Sequence, residues 1–137
     1  MNKIIPNMGI AHLALKASDF EMSIEFYKAL GMEPYLNWGE GDKRIQMLKF
    51  GKNGILELFA GGQMIENDPG EYAGKYTHFA YEVEDVQAAF DVAIAAGAQP
   101  KVLPKVVPLD SHPEKVSLNI AFVYGPDGEE LEFFKIV

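Results

Sequence analysis

Residues Gly9–Lys16 (GIAHLALK) and Tyr76–Val83 (YTHFAYEV) are the two stretches on which the fold turns. Both are short, apolar and bounded by polar residues or Gly, as strands are. A shift of 66 residues places His12 on His78, Ala14 on Ala80 and Asp19 on Asp85, and further along Gly31 on Gly97 and Pro34 on Pro100. The apolar pattern between these landmarks agrees as well, with Phe20 on Val86, Ile24 on Phe90 and Leu30 on Ala96. The chain is an internal repeat.

Working outward, each strand leads into a capped helix. Ser18 or Asp19 opens the first, and Phe20, Ile24, Tyr27 and Leu30 follow at helical spacing. Glu84 or Asp85 opens the second, followed by Val86, Phe90, Ala93, Ile94 and Ala96. Gly31 and Gly97 stand where a left-handed residue ends a helix, and Pro34 and Pro100 prevent its resumption. Three strands are expected after the first helix: Glu33–Trp38, Arg44–Phe50 and Gly54–Ala60. The last two flank an Asn53-Gly54 pair of the kind that makes tight hairpins. Gln99–Leu103, Val116–Tyr124 and Glu130–Ile136 repeat the order, with Pro126-Asp127-Gly128 as the final turn. Each half reads strand, helix, three strands, and residues 61–75 join them.

Strand phase decides which residues share a face. Leu13 and Leu15 oppose His12, Ala14 and Lys16; Leu56 and Leu58 oppose Ile55, Glu57 and Phe59. In the repeat, Phe79 and Tyr81 oppose His78 and Ala80, while Leu131 and Phe133 oppose Glu130, Glu132 and Phe134. One face of each half is continuously apolar, and the other carries one imidazole and one carboxylate. A lone strand histidine is commonly a hydrogen-bonded structural residue, and a lone glutamate can face water. The repeat argues otherwise, because both types recur at equivalent places. Glu57, set within Ile55-Leu56-Glu57-Leu58-Phe59, requires a compensating partner. Two imidazoles and two carboxylates suit Zn²⁺, Ni²⁺, Co²⁺, Fe²⁺ or Mn²⁺. His112, in a polar loop with no counterpart, reads as solvated. Trp38, Phe59, Phe79 and Phe134 read as core before pocket, Met22, Met32, Met47 and Met64 as packing residues, and Glu129-Glu130 as solvated surface.

Composition narrows the function classes. Of 137 residues, 48% are hydrophobic, enough for a real core, and the formal net charge is −8. Such an acidic surface disfavours nucleic acid and anionic membranes as partners. With no cysteine there is no disulfide, thiolate-zinc site or cysteine nucleophile. Pro6 interrupts the first residues, no run approaches the roughly 20 apolar residues of a membrane span, and a cytoplasmic location is expected. There is no Gly-rich phosphate loop, nucleophile elbow or serine triad.

The ordered set Gly9-Ile-Ala-His12, Ser23-Ile-Glu-Phe-Tyr27 with Leu30-Gly31-Met32, Ile55-Leu-Glu57-Leu, Thr77-His78-Phe-Ala and Asp127-Gly-Glu-Glu-Leu-Glu132 resembles the vicinal oxygen chelate superfamily and, within it, the glyoxalase I (lactoylglutathione lyase) family. The resemblance covers almost the whole chain. It implies an α+β fold in one domain, residues 1–137: two tandem βαβββ modules, about residues 8–61 and 76–137 with a linker at 62–75, forming an incomplete barrel. It also implies a single divalent metal ion (Zn, Ni, Co, Mn or Fe) held by His12, Glu57, His78 and Glu132. The catalytic residues it implies are Glu132 as proton shuttle and Glu57 as ligand and second base. The activity implied is that of a lyase isomerising a 2-oxoaldehyde–thiol hemithioacetal through a metal-stabilised enediolate, in a homodimer with a small-molecule substrate. Methylmalonyl-CoA epimerases of the superfamily usually carry Gln at the position of Glu57, and bleomycin-binding resistance relatives lack the metal set; these are the two alternative functions. Glutathione-using glyoxalases commonly have Arg and Asn where this chain has Lys16 and Gly61, which argues against glutathione and leaves another thiol or another 1,2-dioxygenated substrate.

Overall fold

The computed structural model describes residues 10–64 and 76–137. Gly9 and residues 65–75 of the expected linker lie outside that range. The chain divides into two compact units, residues 1–63 and 64–137. The first runs β1 (Leu13–Lys16), α1 (Phe20–Ala29), β2 (Glu33–Trp38), β3 (Ile45–Phe50) and β4 (Gly54–Phe59), with a 3₁₀ turn at Gly41–Lys43. The second runs β5 (Phe79–Glu82), α2 (Val86–Ala95), β6 (Gln99–Leu109), β7 (Val116–Tyr124) and β8 (Glu130–Ile136). Both halves are βαβββ modules, as the repeat predicts.

Each module forms an open four-stranded sheet, ordered β1-β4-β3-β2 in one and β5-β8-β7-β6 in the other. The strand before the helix pairs in parallel with the last strand, and the other pairings are antiparallel. Asp19 caps α1 by accepting from the Met22 N–H at 3.0 Å. Asp85 caps α2 by accepting from the Ala88 N–H at 3.0 Å. These bonds satisfy helix N–H groups that have no partner within the helix. Gly31 and Gly97 end the helices at φ 91° and 105°, a region where a residue with a side chain is strained.

The core lies between helix and sheet in each unit. Leu48, Leu56 and Leu58 are fully buried beside Phe26 and Tyr27 of α1, and Val123 and Leu131 beside Val86, Phe90 and Ala93 of α2. The buried stripe of α1 is Phe20, Ser23, Phe26 and Tyr27, so it is rotated from the expected one, and Ile24 and Leu30 sit at its margins. Three further expectations change. β6 continues to Leu109, although Pro104 and Pro108 suggest a stop after Leu103. As the edge strand it tolerates missing N–H donors on its outer side. The Gly51–Asn53 turn is a three-residue loop, because Phe50 pairs with Gly54; its left-handed residue is Gly51 at φ 56°, and Gly54 belongs to the strand. β1 and β5 begin at Leu13 and Phe79, so His12 and His78 each stand one residue before a strand.

Candidate functional site

Glu57 owes its position to the alternation of β4. Leu56 and Leu58 take the face covered by the helix, which leaves Glu57 on the other, in register with Ala14 of β1 and Met47 of β3. Its side chain is only 9% exposed. In the second module Glu132 lies in register with Ala80 and Phe122, and its side chain is 10% exposed. A carboxylate so withdrawn from water is costly without a partner. Each has one: His12 Nε2 lies 3.0 Å from Glu57 Oε2, and His78 Nε2 lies 3.0 Å from Glu132 Oε2. The imidazoles are more open, at 41% and 36% exposure. Each pair therefore joins a buried carboxylate to a more exposed imidazole.

This geometry fits a cation. The 3.0 Å separation in both pairs is that of a charge-assisted hydrogen bond, and it equals the spacing of adjacent ligands about 2.1 Å from an octahedral ion. Neutral imidazole and carboxylate are also the donor types that borderline divalent ions accept. Among the described residues, each module gathers two such donors and no third.

The walls around the pairs differ. On the Glu57 face of module 1, Phe59 pairs across to Ile45, and Ile45 to Trp38. Trp38 is 46% exposed, so the expectation of core packing fails for it; β2 is an edge strand and its indole lies on this face. Phe59 and Phe134 are half-buried on the glutamate faces, and Phe79 takes the helix side with Leu131. Lys16 shares the Glu57 face, is exposed, and pairs with no carboxylate among the described residues.

In module 2 the sequence reading missed Phe122, Tyr124 and Lys101. The Phe122 ring meets His78 edge to face at 5.3 Å. Lys101 pairs with Glu130, which raises the ammonium's pKa first through their hydrogen bond, and its Nζ lies 5.4 Å from the Tyr124 ring centre. A bulge between Pro100 and Val102 accompanies this placement of Lys101, and no sequence signal marks it.

Other expectations sort as follows. His112 is exposed. Of the methionines named, Met32 is buried and Met47 partly so, whereas Met22 and Met64 are exposed and do not pack. Glu129 is not simply solvated: its Oε2 accepts from the Asp127 N–H at 2.8 Å and braces the last turn. Glu130 is likewise half-buried against Lys101. Gly61 has a steric reason to be glycine, since at φ 75° a Cβ would meet Asp42 O at 2.7 Å. A hollow beside it, lined by Ser18, Asp19, Glu21, Asp42 and Arg44, contains neither His12 nor Glu57. Arg44 is already paired with Glu21.

Residues 9–133 match the glyoxalase/bleomycin resistance protein/dioxygenase superfamily. Among solved structures, the glyoxalase family protein from Enterococcus faecalis aligns with a TM-score of 0.71 at 22% identity, over 96% of this chain and 100% of its own. SMU.1112c aligns with a TM-score of 0.67 at 27% identity, over 94% and 99%. A glyoxalase/bleomycin resistance protein/dioxygenase from Alicyclobacillus acidocaldarius gives 0.65 at 18%, over 96% and 92%. No curated protein matches the sequence.

Proposed function

Because this chain belongs to the glyoxalase/bleomycin resistance protein/dioxygenase superfamily, we propose that it is a metal-dependent lyase of the glyoxalase I kind. The reaction converts the hemithioacetal of a 2-oxoaldehyde and a thiol into a 2-hydroxyacyl thioester. One observation carries the reading: each module holds a buried carboxylate 3.0 Å from Nε2 of a more exposed imidazole, at equivalent places. His12, Glu57, His78 and Glu132 are the residues that would hold the cation. Such an ion would supply Lewis-acid stabilisation of the negative charge that builds on the substrate.

The chain's own residues do the rest. Glu132 takes the proton from the hydroxyl-bearing carbon and returns it to the neighbouring carbonyl carbon, while the hydroxyl proton passes to the former carbonyl oxygen. No redox partner is needed, because the substrate is only isomerised. The low exposure of Glu132 supports this role: a carboxylate withdrawn from water can hold the abstracted proton and return it without losing it to solvent. Phe59, Ile45 and Trp38 offer an apolar wall for the oxoaldehyde substituent. Lys16 offers a point charge for an acidic group on the thiol. The missing Asn at Gly61 favours a thiol other than glutathione.

The test is Glu132→Gln in metal-replete protein, with methylglyoxal and a panel of thiols. Thioester formation by the metal-loaded variant is expected to fall at least about 100-fold, with the metal-free Tm unchanged. A metal-loaded variant that turns over normally removes Glu132 from the role. Proton exchange into acyl-CoA thioesters without methylglyoxal consumption would assign an epimerase. Purified protein with neither stoichiometric metal nor turnover would assign a binding protein.

A further inference from the structure

The two His–Glu pairs match at Nε2 but differ at the other ring nitrogen. His78 Nδ1 lies 3.2 Å from the hydroxyl of Thr77. The repeat places Ala11, which has no hydroxyl, at the corresponding position before His12. We propose that Thr77 is a positioning residue that lets His78 exchange its Nε2 proton for a cation without turning its ring.

An imidazole that donates Nε2–H to a carboxylate has its lone pair on Nδ1; an imidazole that binds a cation through Nε2 carries its proton on Nδ1. Changing from one arrangement to the other reverses what Nδ1 requires of its neighbour. A hydroxyl serves both, because it donates to a bare nitrogen and, after rotating about its C–O bond, accepts from an N–H. A carbonyl or carboxylate could serve only the second. Thr77 thus keeps Nδ1 satisfied in the cation-free pair with Glu132 and in the cation-bound state alike. The Phe122 ring, edge-on at 5.3 Å, limits rotation of the imidazole, so a proton shift is favoured over a ring flip. Among the described residues no hydroxyl plays this part for His12, so the two modules would contribute unequally to cation affinity.

The cation part of this inference rests on the function proposed above; the hydrogen bond to Thr77 does not. The experiment uses the full chain and reads two quantities. Long-range ¹H–¹⁵N spectra report which nitrogen of each histidine carries the proton and whether it is hydrogen-bonded, with and without Zn²⁺. Competition with a chromophoric chelator gives the Zn²⁺ Kd. In metal-free Thr77→Val, the Nδ1 resonance of His78 is expected to move toward that of an unbonded ring nitrogen while His12 stays in place. With Zn²⁺, the Nδ1–H signal of His78 should exchange faster with solvent and Kd should weaken about tenfold, the lower end of what outer partners of metal ligands contribute. Thr77→Ser should restore both, and Ala11→Thr should tighten Zn²⁺ binding. An unchanged His78 spectrum in metal-free Thr77→Val overturns the proposal, as does a Kd that Thr77→Val leaves unaltered. Wild-type protein that binds no Zn²⁺ but shows the metal-free shift keeps the hydrogen bond and overturns both the exchange role of Thr77 and the proposed function.

Discussion

Replacing Glu57 with leucine separates what this carboxylate does for folding from what it does for chemistry. Glu57 sits between Leu56 and Leu58, both fully buried, and faces Ala14 and Met47 across the sheet. A leucine there resembles its neighbours and removes a charge that folding must strip of water. Exchanging a buried ion pair for packed apolar side chains is typically neutral or stabilising by about 1–4 kcal/mol. The lower half of that span applies, because His12 is 41% exposed and the pair is partly screened by water. The orphaned imidazole returns to solvent at little cost. Metal-free Glu57→Leu should therefore be as stable as wild type or up to about 2 kcal/mol more so, read from urea-unfolding midpoints at matched m-values. Chelator must be present throughout, since bound metal would add its own stabilisation to wild type. The same variant should lose metal binding and turnover. A destabilisation beyond about 2 kcal/mol would refute the reasoning: Glu57 would then be a structural residue, its imidazole a structural partner, and the functional reading of the pair unsupported.

Three further outcomes follow from particular contacts. Asp85→Ala removes the acceptor for the Ala88 N–H and should cost about 1 kcal/mol in the urea midpoint, with Asp85→Asn recovering most of it. Gly97→Ala meets no atom within 4 Å, so its cost is the strain at φ 105° alone, about 1–2 kcal/mol in the same assay. Tyr81 has its pKa raised above the ordinary 10.0, first by burial and then by the charge of Glu129. A raised acid stays neutral when folded and ionises when unfolded, so stability holds below pH 10 and declines above it, by at most about 1.4 kcal/mol per pH unit; Tyr81→Phe should flatten that alkaline decline.

The helices were legible because their signals are local. Asp19 and Asp85 reach N–H groups three residues ahead, and Gly31 and Gly97 act where they stand. The strand faces were legible because alternation needs only the sequence, and it put Glu57 and Glu132 opposite the apolar face. What the sequence could not carry is pairing. Pro104 and Pro108 read as breakers, and only an edge position makes them compatible with β6. The bulges that accompany the placement of Lys101 depend on how β6 and β7 align. Phe122 becomes a neighbour of His78 only through the register of two further strands, β7 on β8 and β8 on β5. Trp38 reads as core by residue type, and its exposure follows from β2 lying at the sheet's edge.

The same distinction explains how two unequal halves keep one donor geometry. Between the histidines the repeat offset is 66 residues, and between the glutamates it is 75, so module 2 holds nine extra residues after its helix. They lengthen the β6–β7 hairpin, whose strands span 11 and 9 residues against 6 and 6 in β2 and β3. The His–Glu separation is set elsewhere. It depends on the parallel pairing that puts Ala14 beside Glu57 and Ala80 beside Glu132, two residues beyond the histidine in each case. That pairing occupies the opposite side of the sheet from the hairpin's outer strand. Length and side chains can therefore change at β2, β3, β6 and β7, altering the wall that a substrate meets, while both donor pairs remain 3.0 Å apart.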